Sequence, residues 1–253
     1  MFRTLTFGLL MLAASPSVAQ FNSSLAGPAT KAPAQQAERP TPEATKALAE
    51  AMSPRALMIA NEQKLFREQF PAELRKQDGF AELEAEYPTL VAELQREMEQ
   101  PFGAYMNRMF DKFMPEVAKL IGDNISASEV AQLTAFYRSP TGQRTLQGMV
   151  ENSNTQEIVD SIGNGGRPDE AMLRRQISGA ATKTSKSLSE ADRNAVVELM
   201  MTPGFWSLAK IQKQLLALKL QMLNAEDPQF NQDTEEVFER VMARLIEAKE
   251  TSQ

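Results

Sequence analysis

Neither cysteine nor histidine occurs anywhere in the 253 residues. Their absence removes thiol nucleophiles, Ser-His-Asp triads, imidazole bases and disulfides. It also removes the usual zinc, haem and copper ligands. Clustered positive charge is missing too. The formal net charge is −6, and a nucleic-acid partner would call for a basic surface to match its phosphates. After the first 19 residues no stretch approaches the roughly 20 apolar residues that a membrane-crossing helix needs. Period-two alternation is lacking as well, so nothing argues for strands.

The N-terminus reads as an address. Arg3 precedes an apolar run over Leu5–Ala14, and Ser17-Val18-Ala19 places small residues where a signal peptidase cuts. Residues 1–19 are therefore expected to be a cleaved signal peptide, and the mature chain to be periplasmic. With no cysteine after the cut, a lipid anchor is excluded. Residues 20–41 are rich in Ala, Pro, Gln and Ser and carry few large apolar side chains, as expected of a disordered linker.

From Thr41 onward the pattern is helical, which predicts an all-α bundle. Residues 42–100 form an N-terminal region. Thr41-Pro42-Glu43 and Ser53-Pro54 are helix starts; one helix should end before Pro71, and another is interrupted at Pro88. Glu82, Glu84, Glu86, Glu93, Glu97 and Glu99 suggest a solvated face rather than paired catalytic carboxylates. Residues 101–162 form a second region. A helix starting at Pro101 carries Met106, Met109, Phe110, Phe113, Val117 and Leu120 on one side, with a kink or restart at Pro115. Met106 and Met109 have a spacing that could hold Cu(I), but methionine at helical spacing is read as core. No metal or cofactor is expected.

The stretch around which this region is organised is Ile125–Leu146, ISASEVAQLTAFYRSPTGQRTL. Ser126 with Glu129 is a capping box. Val130, Leu133, Phe136 and Tyr137 share a helical face. Ser139-Pro140 stops one helix near Arg138 and starts the next, with Gly142 in its first turn. A short helix over Glu151–Ile162 should follow. Capping and packing account for Ser126, Glu129, Phe136, Tyr137, Ser139, Pro140 and Gly142. Arg138 and Gln143 are the two residues that packing does not need, and so mark a candidate interaction corner.

Residues 163–253 form the last region. Gly163-Asn164-Gly165-Gly166 reads as a loop between units and Arg167–Lys186 as a helix. The signature then returns in degraded form. Ser189 with Asp192 echoes Ser126 with Glu129, and Thr202-Pro203 stands where Ser139-Pro140 would recur. If Thr141 has no counterpart, Gly142 aligns with Gly204 and Leu146 with Leu208. Two stacked helix–turn–helix units are the expectation. Pro203–Asn224 should form one long helix on the stripe Ile211, Leu215, Leu218 and Met222. Phe205 and Trp206 sit in its first turn, where they could stack on a ligand but are read as packing anchors. Asp227-Pro228 starts a last helix, with Val237, Val241 and Leu245 inward.

Phe110–Pro115, Glu129, Leu133 and above all Phe136-Tyr137-Arg138-Ser139-Pro140-Thr141-Gly142-Gln143 resemble the bacterial family of unknown function known as DUF2059. The resemblance covers roughly Tyr105–Met149. It implies a helical, exported bacterial protein and supplies no catalytic residues. The second unit departs from it, with Met-Met-Thr-Pro-Gly in place of the motif. Three functions are weighed. The first is a non-enzymatic periplasmic envelope protein acting as an interaction or assembly module, with an unknown envelope protein as partner. The second is a binder of a lipid or other apolar ligand between helices. The third is a carboxylate-based hydrolase of envelope glycans.

Overall fold

The computed structural model describes residues 38–163 and 166–251, and among them the backbone is all-α, without a strand. The helices are α1 (Pro42–Met52), α2 (Arg55–Arg75), α3 (Phe80–Glu86), α4 (Leu90–Asn124), α5 (Ala127–Arg138) and α6 (Pro140–Glu151). They continue as α7 (Gln156–Gly163), α8 (Glu170–Ser187), α9 (Glu190–Met200), α10 (Pro203–Lys210), α11 (Gln212–Leu223) and α12 (Pro228–Glu250). None is long and apolar enough to cross a membrane. The expected signal peptide, the linker up to residue 37 and the Asn164-Gly165 pair lie outside the described residues.

Helix α4 is the spine. Its 35 residues extend about 50 Å at 1.5 Å per residue. Its N-terminal part lies in a larger core with residues of α2, α8, α11 and α12. There Phe66 stacks on Phe102 with centroids 4.7 Å apart, and Tyr105 stacks on Phe230 at 4.6 Å. Its C-terminal part lies in a second core with α1, α5, α6, α9 and α10. Met106 and Met109 belong to the first core, where thioether side chains fill irregular space.

The proline-based boundaries needed correction. α2 does not stop before Pro71 but runs through it to Arg75. Pro71 cannot donate to the Arg67 carbonyl, and the Gln95 side-chain amide donates to that oxygen instead, at 2.6 Å. α4 does not begin at Pro101 or restart at Pro115; it contains both. Packing against α1, α2, α11 and α12 along its length outweighs a cost of about 3 kcal/mol per interior proline. Pro88 does separate α3 from α4.

Two further expectations fail for packing reasons. The helix expected over Pro203–Asn224 is broken at Ile211, whose amide reaches back to the Leu208 carbonyl at 3.2 Å. The stripe changes partners there: Leu208, Ile211 and Leu215 enter the second core, whereas Leu216, Met222 and Leu223 enter the first. One straight helix would not serve both. Residues 38–41, assigned to the linker, are held against the fold. The Ala127 amide donates to the Glu38 carbonyl at 2.8 Å, and the Thr41 hydroxyl caps α1.

The acidic positions of α3 and α4 do lie toward solvent, and they also join helices. Glu84 pairs with Arg75, Glu86 with Lys249, and Glu93 and Glu97 with Arg244. Exposed pairs of this kind contribute about 0–1 kcal/mol each.

Candidate functional site: two helix corners and a buried lysine

The first corner is built as its residues dictate. The Ser126 hydroxyl accepts from the Glu129 amide, and the Glu129 carboxylate accepts from the Ser126 amide at 2.9 Å. Ser139 caps α6 by accepting from the Gly142 amide at 3.1 Å. Gly142 is required sterically: a Cβ there would lie 2.1 Å from the Phe136 carbonyl oxygen and 2.8 Å from Tyr137 Cα. Tyr137 is buried, which pushes its hydroxyl pKa up, and Phe136 packs edge-on against it.

The two corner residues singled out from the sequence part company. The Gln143 amide donates to the Tyr137 carbonyl and so occupies an acceptor that the end of α5 would leave open. Arg138 is exposed and makes no recorded hydrogen bond or ion pair among the described residues. Arg144, not singled out, turns inward across the surface. Its Nε donates to the Asp192 carboxylate at 3.0 Å, and the Thr141 hydroxyl donates to the same group at 2.7 Å.

The second corner packs against the first reciprocally. α10 lies on α5, and α9 touches α6. Asp192 sits in the first turn of α9, where the Ser189 hydroxyl donates to it at 2.7 Å. Bonds from Arg144, Thr141 and Ser189 hold its carboxyl well below the usual carboxylate range, against the opposing push of burial. In mirror fashion Glu129, in the first turn of α5, accepts from the Ser207 hydroxyl of α10 at 2.8 Å. Burial pushes the Glu129 pKa up, but the Ser126 hydroxyl and amide and the Ser207 hydroxyl outweigh it, and the net shift is downward. The Glu129 carboxylate of α5 therefore also bonds α10, and the Asp192 carboxylate of α9 bonds α6.

Residues 111–163 match the model of the DUF2059 family. The family is described as an uncharacterised protein conserved in bacteria. Neither a curated protein nor a solved structure matches the chain. The matched segment is about a fifth of the sequence. It runs from the C-terminal part of α4 through α7, so it contains the first corner and excludes the second.

The surface outside the DUF2059 segment is where the corners differ most. In the register expected from the sequence, Met201 aligns with Arg138, and Phe205 and Trp206 with Gln143 and Arg144. Phe205 is buried. Met201 is 72% exposed, Val197 55% and Trp206 48%. Among the described residues Ile246 is the other large apolar side chain exposed to this degree. The polar corner of the family segment thus has an apolar counterpart, and Trp206 is not the packing anchor that its place in α10 suggested.

Sequence reading missed one polar cluster entirely. Lys219 of α11 is 1% exposed, and its Nζ lacks a hydrogen-bond partner. Burial lowers its pKa to about 8, and the Glu62 carboxylate of α2 opposes that fall. Tyr105 of α4 has a buried hydroxyl without a partner, and its pKa is pushed up by burial and by the charges of Asp227 and Glu62. Three helices thus place an amine, a carboxylate and a phenol in one apolar core. Unpartnered donors in such a place are satisfied by ordered water when there is room. The signal was present: Lys219 is flanked at i±3 and i±4 by Leu215, Leu216, Met222 and Leu223, all buried. Near the cluster, the Arg108 guanidinium forks onto Asp227 at 3.0 Å through two nitrogens and ties α4 to the cap of α12.

Proposed function

We propose that the chain is an exported, non-enzymatic interaction module of the bacterial envelope, and that it docks on a protein partner through the α9–α10 corner. The observation that carries this reading is the apolar trio Val197, Met201 and Trp206 flanking the Thr202-Pro203 turn. Exposed clusters of large apolar side chains mark interaction sites, and tryptophan is prominent among residues that dominate interface energies. The N-terminal address supports export. The lack of histidine and cysteine supports a role without catalysis.

The test places a photo-crosslinking phenylalanine analogue at Met201 in one strain and at Arg138 in another, and irradiates intact cells. A discrete adduct from position 201, lost on Trp206→Ala and absent from position 138, is the expected outcome. Adducts from position 138 alone, or an adduct from position 201 insensitive to Trp206→Ala, would overturn the reading.

A further inference from the structure

A cleft of about 1070 Å³ lies between the α1–α2 corner and the C-terminal half of α4. That is slightly above the roughly 300–1,000 Å³ typical of small-molecule sites. It is open along one side, and its lining separates by chemistry. Ala49, Phe110, Met114 and Ala118 supply apolar surface, whereas the charged lining sets the cations Arg39, Lys46, Arg55 and Lys119 beside the carboxylates Glu50, Asp111 and Asp123. Along α4 it extends from Phe110 to Asp123, about 20 Å of helix at 1.5 Å per residue. A trough of this length with an apolar stretch along α4 suits an extended alkyl chain better than a compact polar solute.

Two observations locate a polar end. Ser53, between α1 and α2, lines the cleft and is 1% exposed, yet its Oγ lacks a hydrogen-bond partner. A buried hydroxyl left unbonded costs about 1–3 kcal/mol, which an incoming acceptor would relieve. Beside it, Arg55 is held in place. Its Nη2 donates to the Asn107 carbonyl at 3.2 Å and to the Asp111 carboxylate, and its guanidinium lies 5.3 Å from the Phe110 ring centroid. Guanidinium has five N–H donors. Both recorded bonds use Nη2, so the Nε and Nη1 hydrogens remain for a ligand. Lys46 and Lys119 have only 3.9 Å pairings with Glu50 and Asp123 on their own helices, and can swing to follow a headgroup.

We propose that this cleft binds a single-chain anionic amphiphile, with the headgroup at Ser53 and Arg55 and the acyl chain along Ala49, Met114 and Ala118. The site is separate from the α9–α10 corner, so either reading can fail without the other.

The test titrates the purified protein with 11-(dansylamino)undecanoic acid and follows dansyl fluorescence. Palmitate, palmitoyl lysophosphatidylglycerol and hexadecanol then serve as competitors. Saturable binding displaced by palmitate or by the lysolipid, and much less by hexadecanol, is expected; whichever acts more strongly identifies the source of the anion. Arg55→Met should weaken palmitate about tenfold, the loss of one hydrogen bond to a charged group, and leave hexadecanol unchanged. Ala56→Trp, at an exposed position on the lining, should block the probe, and circular dichroism checks that both variants stay folded. Absence of saturable binding, equal displacement by hexadecanol, or indifference to both substitutions would each overturn the proposal.

Discussion

The two helix corners share their caps and differ in what they show to solvent. Ser126 and Ser189 begin the first helices, Ser139 and Thr202 the second, and each cap hydroxyl accepts from an amide three residues on. At the corner within the DUF2059 segment the outward positions are Arg138, Gln143 and Arg144. At the other they are Val197, Met201 and Trp206. Gln143 and Arg144 are engaged within the fold, the first with the end of α5 and the second with Asp192. A specific-looking sequence motif therefore describes how a turn is closed and how two helix pairs are joined. The α9–α10 corner instead leaves Val197, Met201 and Trp206 uncovered.

Substitutions can break this comparison in graded ways. The largest effect is expected from Gly142→Ala, where the new methyl overlaps backbone atoms at 2.1 and 2.8 Å. Gly204→Ala meets its nearest neighbours at 3.3 Å, one of them the Gln132 side-chain oxygen. Overpacking costs about 1–3 kcal/mol, so Gly142→Ala belongs at or beyond the top of that range and Gly204→Ala near the bottom. Thermal denaturation of the two variants checks the order, and equal losses would mean that the corners are equally tight.

Next come the carboxylates that join the corners. A carboxylate whose folded pKa lies below its unfolded value of about 4 adds stability that is complete above that value and is lost as pH falls through the folded pKa. Asp192 and Glu129 are both shifted downward. Asp192→Asn should lower the melting temperature at pH 7 and flatten its decline below pH about 4. Glu129→Gln should act in the same direction, less strongly. Acid-titrated melting curves for wild type and both variants decide this; parallel curves would contradict the bonding assigned here.

Smaller effects on folding are expected where the corners face solvent. The substitution Trp206→Arg places a charge at the exposed α9–α10 corner, and should leave the melting temperature within a degree or two while abolishing the crosslink from the analogue at position 201. Arg138→Ala removes an exposed side chain without a recorded partner and should stay within about 0.5 kcal/mol of wild type. A larger loss, read in urea titrations, would reveal a structural role for the guanidinium.

How far the sequence sufficed depended on the kind of signal. Caps are local, so Ser126 with Glu129, Ser139-Pro140 and Asp227-Pro228 were legible to the residue. Proline was less dependable as a stop, because Pro71 is accommodated by a side chain of α4, 24 residues further along the chain. The break at Ile211 was hidden, since the apolar stripe runs on through it and only the presence of two cores makes the bend necessary. At the candidate sites, Arg138 and Gln143 looked alike until the bond from Gln143 to the Tyr137 carbonyl was in view. Trp206 looked like core because exposure of an apolar residue on an amphipathic helix depends on neighbours that lie elsewhere in the chain. Lys219 could have been found from its leucine and methionine flanks.

Trp206 is the single tryptophan in the chain, which makes the central claim directly measurable. Acrylamide quenching of its fluorescence should be efficient in the isolated protein, as a half-exposed indole requires. It should fall markedly once the partner captured at position 201 is added. Unchanged quenching in the presence of that partner would place the contact elsewhere and contradict the assignment of the α9–α10 corner as the docking surface.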